Sequence, residues 1–277
     1  PLPMVLGHEA AGIVEAIGQD VRSVAVGDPV VACSSAFCGA CDYCSEGRTF
    51  LCGGMGTLRA EGEPPRLSRD GKPVGQMAQL ASFAERMLVP ENALVKIRDE
   101  MPLDRAALVG CGVTTGLGAA LYRARVEAGS TCAVIGCGGV GLNVVQGAVV
   151  AGASRIFAID LLDNKLDYAS SFGASDLVNG ANGDPVQQVL DLTDGLGVDY
   201  VFEAIGNVRA TEQAIKMSAR GGTVTLVGMA PQAQAATFDP LLFVQKETRM
   251  LGCFYGSYRP KLDFLRYVDM VTKGTLR

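Results

Sequence analysis

The stretch Ser130–Gly141 reads STCAVIGCGGVG. A mostly apolar run, Thr131 to Ile135, leads directly into Gly136, Gly138 and Gly141, which have the spacing G-x-G-x-x-G. Glycine spacing alone is a weak signal, because any glycine-rich turn can reproduce it. The setting strengthens it. The glycines follow a strand-like run and open a helix-period segment from about Gly139 to Ala151. The next strand-like run, RIFAID, ends in Asp160, nineteen residues after Gly141. In that setting each residue has a physical task. Gly136 makes a tight turn, Gly138 lets the backbone approach a pyrophosphate, and Gly141 lets helix and strand pack closely. The helix start at Gly139 and Val140 offers free N–H groups and the positive end of the helix dipole to that anion. Asp160 accepts hydrogen bonds from both adenosine ribose hydroxyls and repels a 2′-phosphate, so the pattern expects NAD rather than NADP. Lys165 has two readings, a contact to the same ribose or a solvated helix lysine.

Outward from this stretch, the texture of the chain changes near residue 104. Downstream, apolar strands alternate with helix-period segments: RIFAID, a helix starting near Asp163 with that side chain as its cap, DLVN, a helix from Asp184, VDYVFEAIG, a helix near 208–219, GGTVTLVG, MLGCFYG, and a final helix over KLDFLRYVDMVTK. Such alternation predicts parallel strands joined by crossover helices, an α/β doubly wound (Rossmann) sheet. Upstream, AAGIVEAIG, DPVVAC, FAERMLVP and ALVKI read as short strands. The Pro- and Gly-rich residues 58–77 read as a surface loop. The expected organisation is a β-rich region over 1–112, a dinucleotide-binding domain over 113–259, and over 260–277 the start of a return to the first region.

Composition bounds the alternatives. The chain has 277 residues, 48% of them apolar and 19% charged, enough to bury a large core and incompatible with wholesale disorder. Its 35 glycines show no three-residue period, which excludes collagen. A formal net charge of −5 argues against nucleic-acid or anionic-membrane partners. No charged residue occurs between Ala128 and Ser154, a length that suggests a membrane span. The glycines in its middle, with Asn143 and Gln146 on one helical face, favour a buried strand, a glycine turn and a buried helix.

The nine cysteines are too few for a disulfide scaffold in a chain this long. Cys38, Cys41, Cys44 and Cys52 form C-x2-C-x2-C-x7-C. Two-residue gaps aim successive sulfurs at one centre, and a closed four-sulfur shell suits a structural zinc. An iron–sulfur cluster is the rival, but its usual fourth spacing is C-x3-C-P, absent here. Four unrelated core cysteines are the plain alternative. Metal-binding thiols imply a reducing compartment, the cytoplasm. Only one histidine exists, His8, in Gly7-His8-Glu9, and Cys111 lies in LVGCGVTTG. An imidazole and a thiolate are two of the three protein ligands of a two-cysteine, one-histidine catalytic zinc. From spacing alone, though, a lone histidine beside a glutamate is more often a surface residue or a hydrogen-bonded core one.

Taken in order, GHEAAGIVEAIG, the four-cysteine segment, LVGCGVTTGLGAAL, GSTCAVIGCGGVGL, AGASRIFAID and FEAIGN resemble the zinc-dependent medium-chain alcohol dehydrogenases over nearly the whole chain. The resemblance implies a GroES-like catalytic domain with a zinc lobe beside the Rossmann domain. It also implies NAD-dependent oxidation of an alcohol to an aldehyde or ketone. His8 and Cys111 then match catalytic zinc ligands, and Glu9 an acid beside that zinc. Thr115, Val140, Ile205, Val227, Met229, Cys253 and Tyr255 match positions lining the nicotinamide half, the last three through backbone atoms. A homodimer or homotetramer is implied as well. The chain departs from the family in starting after the segment that carries the third zinc ligand and a proton-relaying Ser or Thr, and in stopping before the family's tail. It is therefore expected to be a fragment of weak or no activity. Gly53-Gly54-Met55-Gly56 stand where the branch acting on formaldehyde–glutathione adducts usually carries an arginine, so a glutathione adduct is not the expected substrate. Ser34 stands where many members have an aromatic residue, which implies a roomier pocket. Two alternatives remain: a zinc-independent reductase of activated double bonds, and a non-catalytic NAD- or zinc-binding module.

Overall fold

A computed structural model describes residues 2–34, 36–53 and 63–277. The chain divides into two compact units, Pro1–Thr114 with Tyr258–Arg277, and Thr115–Ser257.

The first unit is built on short strands. β2 (Ala11–Ile13) pairs antiparallel with β3 (Pro29–Ala32), which pairs antiparallel with β7 (Leu94–Lys96). β1 (Met4–Val5) pairs parallel with β6 (Gly75–Gln76). β4 (Ser68–Arg69) and β5 (Lys72–Pro73) form a small exposed hairpin inside the stretch expected to be plain loop. The part of that stretch before residue 63 lies outside the described residues. Helices α1 (Asp42–Ser45) and α2 (Leu103–Leu108) belong to this unit. So does a helix returning from the far end of the chain, Pro260–Thr272. The expected strand FAERMLVP does not form. Phe83 and Leu88 are exposed there and residues 83–90 contain no ladder. Apolar residues without a partner strand to pair with cannot make a strand.

The second unit is a six-stranded parallel sheet, in the order β10-β9-β8-β11-β12-β13. These strands are β8 (Thr131–Ile135), β9 (Arg155–Asp160), β10 (Asp176–Asn179), β11 (Val198–Glu203), β12 (Ser218–Leu226) and β13 (Arg249–Gly252). Alternate residues enter two cores. Cys132, Val134, Ala158 and Phe202 face one, while Ala133, Ile135, Phe157 and Val201 face the other. Burial on both faces explains why these strands read as unbroken apolar runs. The helices are α3 (Thr114–Gly118, with the unit boundary at its start), α4 (Gly139–Ala151), α5 (Asp163–Ser171), α6 (Pro185–Asp191), α7 (Val208–Met217) and α8 (Pro240–Lys246). Pro260–Thr272 is α9. The uncharged stretch from Ala128 to Ser154 is thus β8, the glycine turn and α4. No helix among the described residues is long and apolar enough to cross a membrane.

One local expectation needs correction. Asp163 does not cap α5: Leu162 occupies the cap position, and Asp163 Oδ1 instead accepts from Asn179 Nδ2 at 2.6 Å. Asp160 Oδ1 accepts the N–H groups of Leu161 and Leu162, in the turn that leads into α5. By contrast, Asp184 does cap α6 through the Val186 N–H.

Two stability measurements test this packing. Thr225 is fully buried on β12, and its hydroxyl has no partner among the described residues. Thr225→Val keeps the shape and removes the unsatisfied group, so urea unfolding should show a gain of about 1 kcal/mol. Arg155 grips Asp176 with two nitrogens, at 2.6 and 3.2 Å, which holds the Asp176 carboxyl below its usual range. A lowered folded-state pKa stabilises above the unfolded value, and that stabilisation disappears as pH falls through the folded value. Asp176→Asn should therefore cost about 1 kcal/mol near neutral pH and nothing in strong acid.

Candidate active site and zinc lobe

In the first unit, α1 and the turns around it gather the four clustered cysteines. Their donor sulfurs all lie within 4.8 Å of one another, and among the described residues they form the one group of three or more His, Cys, Asp or Glu donors able to hold a metal. The Sγ–Sγ separations given by close pairs are 3.6 Å (Cys41–Cys44), 3.7 Å (Cys38–Cys52), 3.8 Å (Cys41–Cys52) and 4.0 Å (Cys38–Cys44). A tetrahedron of sulfurs at about 2.3 Å from zinc has an edge of about 3.8 Å, so the donor set fits that ion. None of the four is in a disulfide. The backbone N–H groups of Ala40 and Cys41 point at Cys38 Sγ and draw its thiol down to about 6, whereas burial pushes the Cys44 thiol up to about 12.

His8 and Cys111 are far apart in sequence and meet in the same unit, with Nε2 to Sγ at 3.3 Å. Cys111 lies in a π-helical turn, Val109–Val113, that follows α2. That turn approaches β3 closely. A Cβ at Gly110 would lie 2.6 Å from the Ala32 carbonyl oxygen, so only glycine permits the contact. Glu9 is next to His8, but its Oε1 accepts the Gly112 N–H at 2.8 Å. Glu9 thus braces the Cys111 turn and does not complete a three-donor cluster with His8 and Cys111. Ser34 is buried and its hydroxyl has no partner among the described residues. Of the residues after Cys52, Gly54, Met55 and Gly56 lie outside the described residues.

In the second unit, the site lies at the carboxyl ends of the strands. The sheet order places β9 on one side of β8 and β11 on the other, and a crevice beside such a reversal is where doubly wound sheets take ligands. Gly136 has φ +95°, a conformation that favours glycine. A Cβ on Gly141 would lie 1.7 Å from the Gly136 carbonyl oxygen. Cβ atoms on Gly138 and Gly139 would meet nothing within 4 Å. The turn is therefore jammed on its inner side and open at the start of α4, which fits a diphosphate held by N–H groups there. Asp160 ties the turn down: its Oδ2 accepts the Cys137 N–H at 2.8 Å. Lys165 Nζ lies 4.0 Å from the same oxygen. Cys137 is buried, and burial pushes its thiol up to about 12, which keeps it unreactive at neutral pH.

The other residues carried over for the nicotinamide half differ in exposure. Thr115 is buried with its Oγ1 unpartnered among the described residues, as a residue awaiting a polar ligand would be. Val227 is buried, Val140, Cys253 and Tyr255 are half-buried, and Ile205 and Met229 are exposed. Ile205 lies against the Gly136 turn. The Cys253 N–H already donates to the Leu226 carbonyl at 2.8 Å, leaving its own carbonyl as the backbone group to offer. Sequence reasoning missed Gly206 and Gly228, whose backbones touch where these loops meet. A Cβ on Gly228 would lie 2.0 Å from the Gly206 nitrogen.

Comparison with known proteins completes the picture. Residues 1–99 match the alcohol dehydrogenase GroES-like domain family, and residues 139–273 match the zinc-binding dehydrogenase family. The alcohol dehydrogenase class-3 of Zea mays is 41% identical over 99% of this chain and 74% of its own length. A probable S-(hydroxymethyl)glutathione dehydrogenase 1 of Schizosaccharomyces pombe is 41% identical over 98% and 73%. Among solved structures, benzyl alcohol dehydrogenase from Acinetobacter calcoaceticus superposes with a TM-score of 0.90 at 33% identity, covering 100% of this chain and 76% of that one. With identity at this level over this span, the chain belongs to the zinc-dependent medium-chain alcohol dehydrogenases, oxidoreductases that act on alcohols.

Proposed function

We propose that this chain takes part in the reversible oxidation of a small alcohol to an aldehyde or ketone, with hydride transfer to NAD in the cytoplasm. The observation that carries the reading is the jammed glycine turn with Asp160 tied into it, at the crevice beside β8. When bound, zinc supplies Lewis acidity that lowers the pKa of an alcohol, and NAD supplies the hydride acceptor. His8 and Cys111 are the side chains that would hold the catalytic zinc, with Glu9 fixing the Cys111 turn through Gly112. Cys38, Cys41, Cys44 and Cys52 would hold a structural zinc. The N–H groups at Gly138 and Gly139 would take the diphosphate, and Asp160 would take the adenosine ribose. Thr115 would offer its hydroxyl to the nicotinamide half, which packs against Val140, Ile205 and Val227 and meets backbone groups of Met229, Cys253 and Tyr255. None of the nine cysteines is in a disulfide, which agrees with a reducing compartment.

A simple alcohol is the preferred substrate, on the small buried side chain at Ser34 and the glycine at 53 directly after the zinc lobe. The second reading is a glutathione adduct, favoured by the names of several relatives. Comparing NADH formation from benzyl alcohol and from S-(hydroxymethyl)glutathione separates the two. A zinc-independent reductase is disfavoured by the tetrahedral spacing of the lobe sulfurs. We further infer a dimer or tetramer: β13 is an edge strand, and Leu241, Leu242 and Val244 on nearby α8 are exposed.

Two experiments test the sites. Metal analysis under reducing conditions should find zinc that survives gel filtration, and Cys52→Ser should lower it by one ion per chain. Iron in its place would overturn the zinc-lobe reading. Asp160→Asn keeps an acceptor for the Cys137 N–H and removes the charge. Titration should show NADP binding strengthened roughly tenfold or more with NAD binding largely kept, whereas Asp160→Ala should weaken both by releasing the turn.

A further inference from the structure

Glu203 ends β11, the strand beside β8 at the crevice, and is only 1% exposed. A buried acid at the end of a strand needs partners, and this one has them on the backbone. Its Oε1 accepts the N–H groups of both Ile205 and Gly206, each at 2.8 Å. Its main-chain carbonyl accepts those of Val227 and Gly228, at 2.8 and 2.9 Å. One residue therefore fixes the loop after β11 and the loop after β12. The two loops also interlock. Gly206 has φ +81°, a Cβ there would lie 2.5 Å from the Met229 carbonyl oxygen, and Gly228 is equally tight against the Gly206 nitrogen. Ile205, held by this arrangement, leans on the Gly136 turn, and Val227 and Met229 follow directly.

The diphosphate turn has separate ties. Gly136 N–H donates to the Ile159 carbonyl at 2.8 Å, and Cys137 N–H donates to Asp160. Loss of the Glu203 contacts thus releases the loops carrying Ile205, Val227 and Met229 while leaving the diphosphate turn anchored.

We propose that Glu203 is the positioning residue for the nicotinamide end of the cofactor, acting through one side-chain oxygen on two loop N–H groups. The proposal rests on the reading of this crevice as an NAD site. It is tested by calorimetric titration of the purified chain with NADH and with ADP-ribose, which shares the diphosphate and adenosine but lacks nicotinamide. Glu203→Leu removes the acceptor, and NADH binding should weaken roughly tenfold or more while ADP-ribose binding changes less than about threefold. Glu203→Gln retains an oxygen that accepts both N–H groups and should restore NADH binding to within about twofold of the parent. If Glu203→Leu does not fold, Gly206→Ala displaces the same loop without emptying the buried site, and the same split is expected. Equal weakening of both ligands, or no weakening of either, overturns the positioning role while leaving the NAD reading intact. A parent chain that binds neither ligand overturns both.

Discussion

The contact between Gly141 and the Gly136 carbonyl governs the second unit. No side chain at position 141 would fit, since its first carbon would lie 1.7 Å from that oxygen. Helix α4 is therefore pressed against the end of β8, and its first free N–H groups meet open space. The anion-binding role proposed for the crevice follows from this packing, which leaves the first turn of α4 open. Asp160 then joins β9 to the same turn, and Ile205 brings the end of β11 against it. Three neighbouring strand ends are thus fixed relative to one glycine carbonyl.

The first unit solves a different problem with the same kind of close approach. Its strands are short and its core clusters small. The thiol cluster is held by local turns, while His8 and Cys111 depend on a long-range contact that Gly110 permits. The first arrangement is encoded within fifteen consecutive positions, and the second requires the unit's fold to be complete.

That contrast explains what was legible in the sequence. The parallel sheet was readable because strands covered on both faces are continuous apolar runs, and the glycine turn because its spacing and its acid sit at fixed offsets. The zinc lobe was readable because thiol spacing reports directly on geometry. The helical turns around Cys111 were obscured by Gly110, Gly112, Gly116 and Gly118, which weaken helix propensity and are present for packing; a Cβ on Gly116 would lie 2.4 Å from the Val140 carbonyl oxygen. Helix α8 did have a signal, an Asp239 cap followed by Pro240, but the surrounding residues hid it. FAERMLVP misled because apolar content does not supply a partner strand. Glu203 left no trace, since its partners are main-chain groups that every residue carries.

The first unit is discontinuous: α9 returns to it from beyond the second unit. Tyr258 hydroxyl meets Cys33 Sγ at 2.9 Å, Lys261 Nζ donates to the Leu94 carbonyl at 2.6 Å, and Asp269 pairs with Arg98 at 3.0 Å. During synthesis the ribosome must therefore finish the whole nucleotide-binding unit before the first unit can close. A folded insert holds its own ends in place, so the late docking of α9 does not carry the entropy of closing a long flexible loop. The four clustered cysteines, by contrast, all lie within one short segment, Cys38 to Cys52. Birth order along the chain thus places the four thiols proposed to hold zinc well ahead of α9, the helix that completes the unit containing His8 and Cys111.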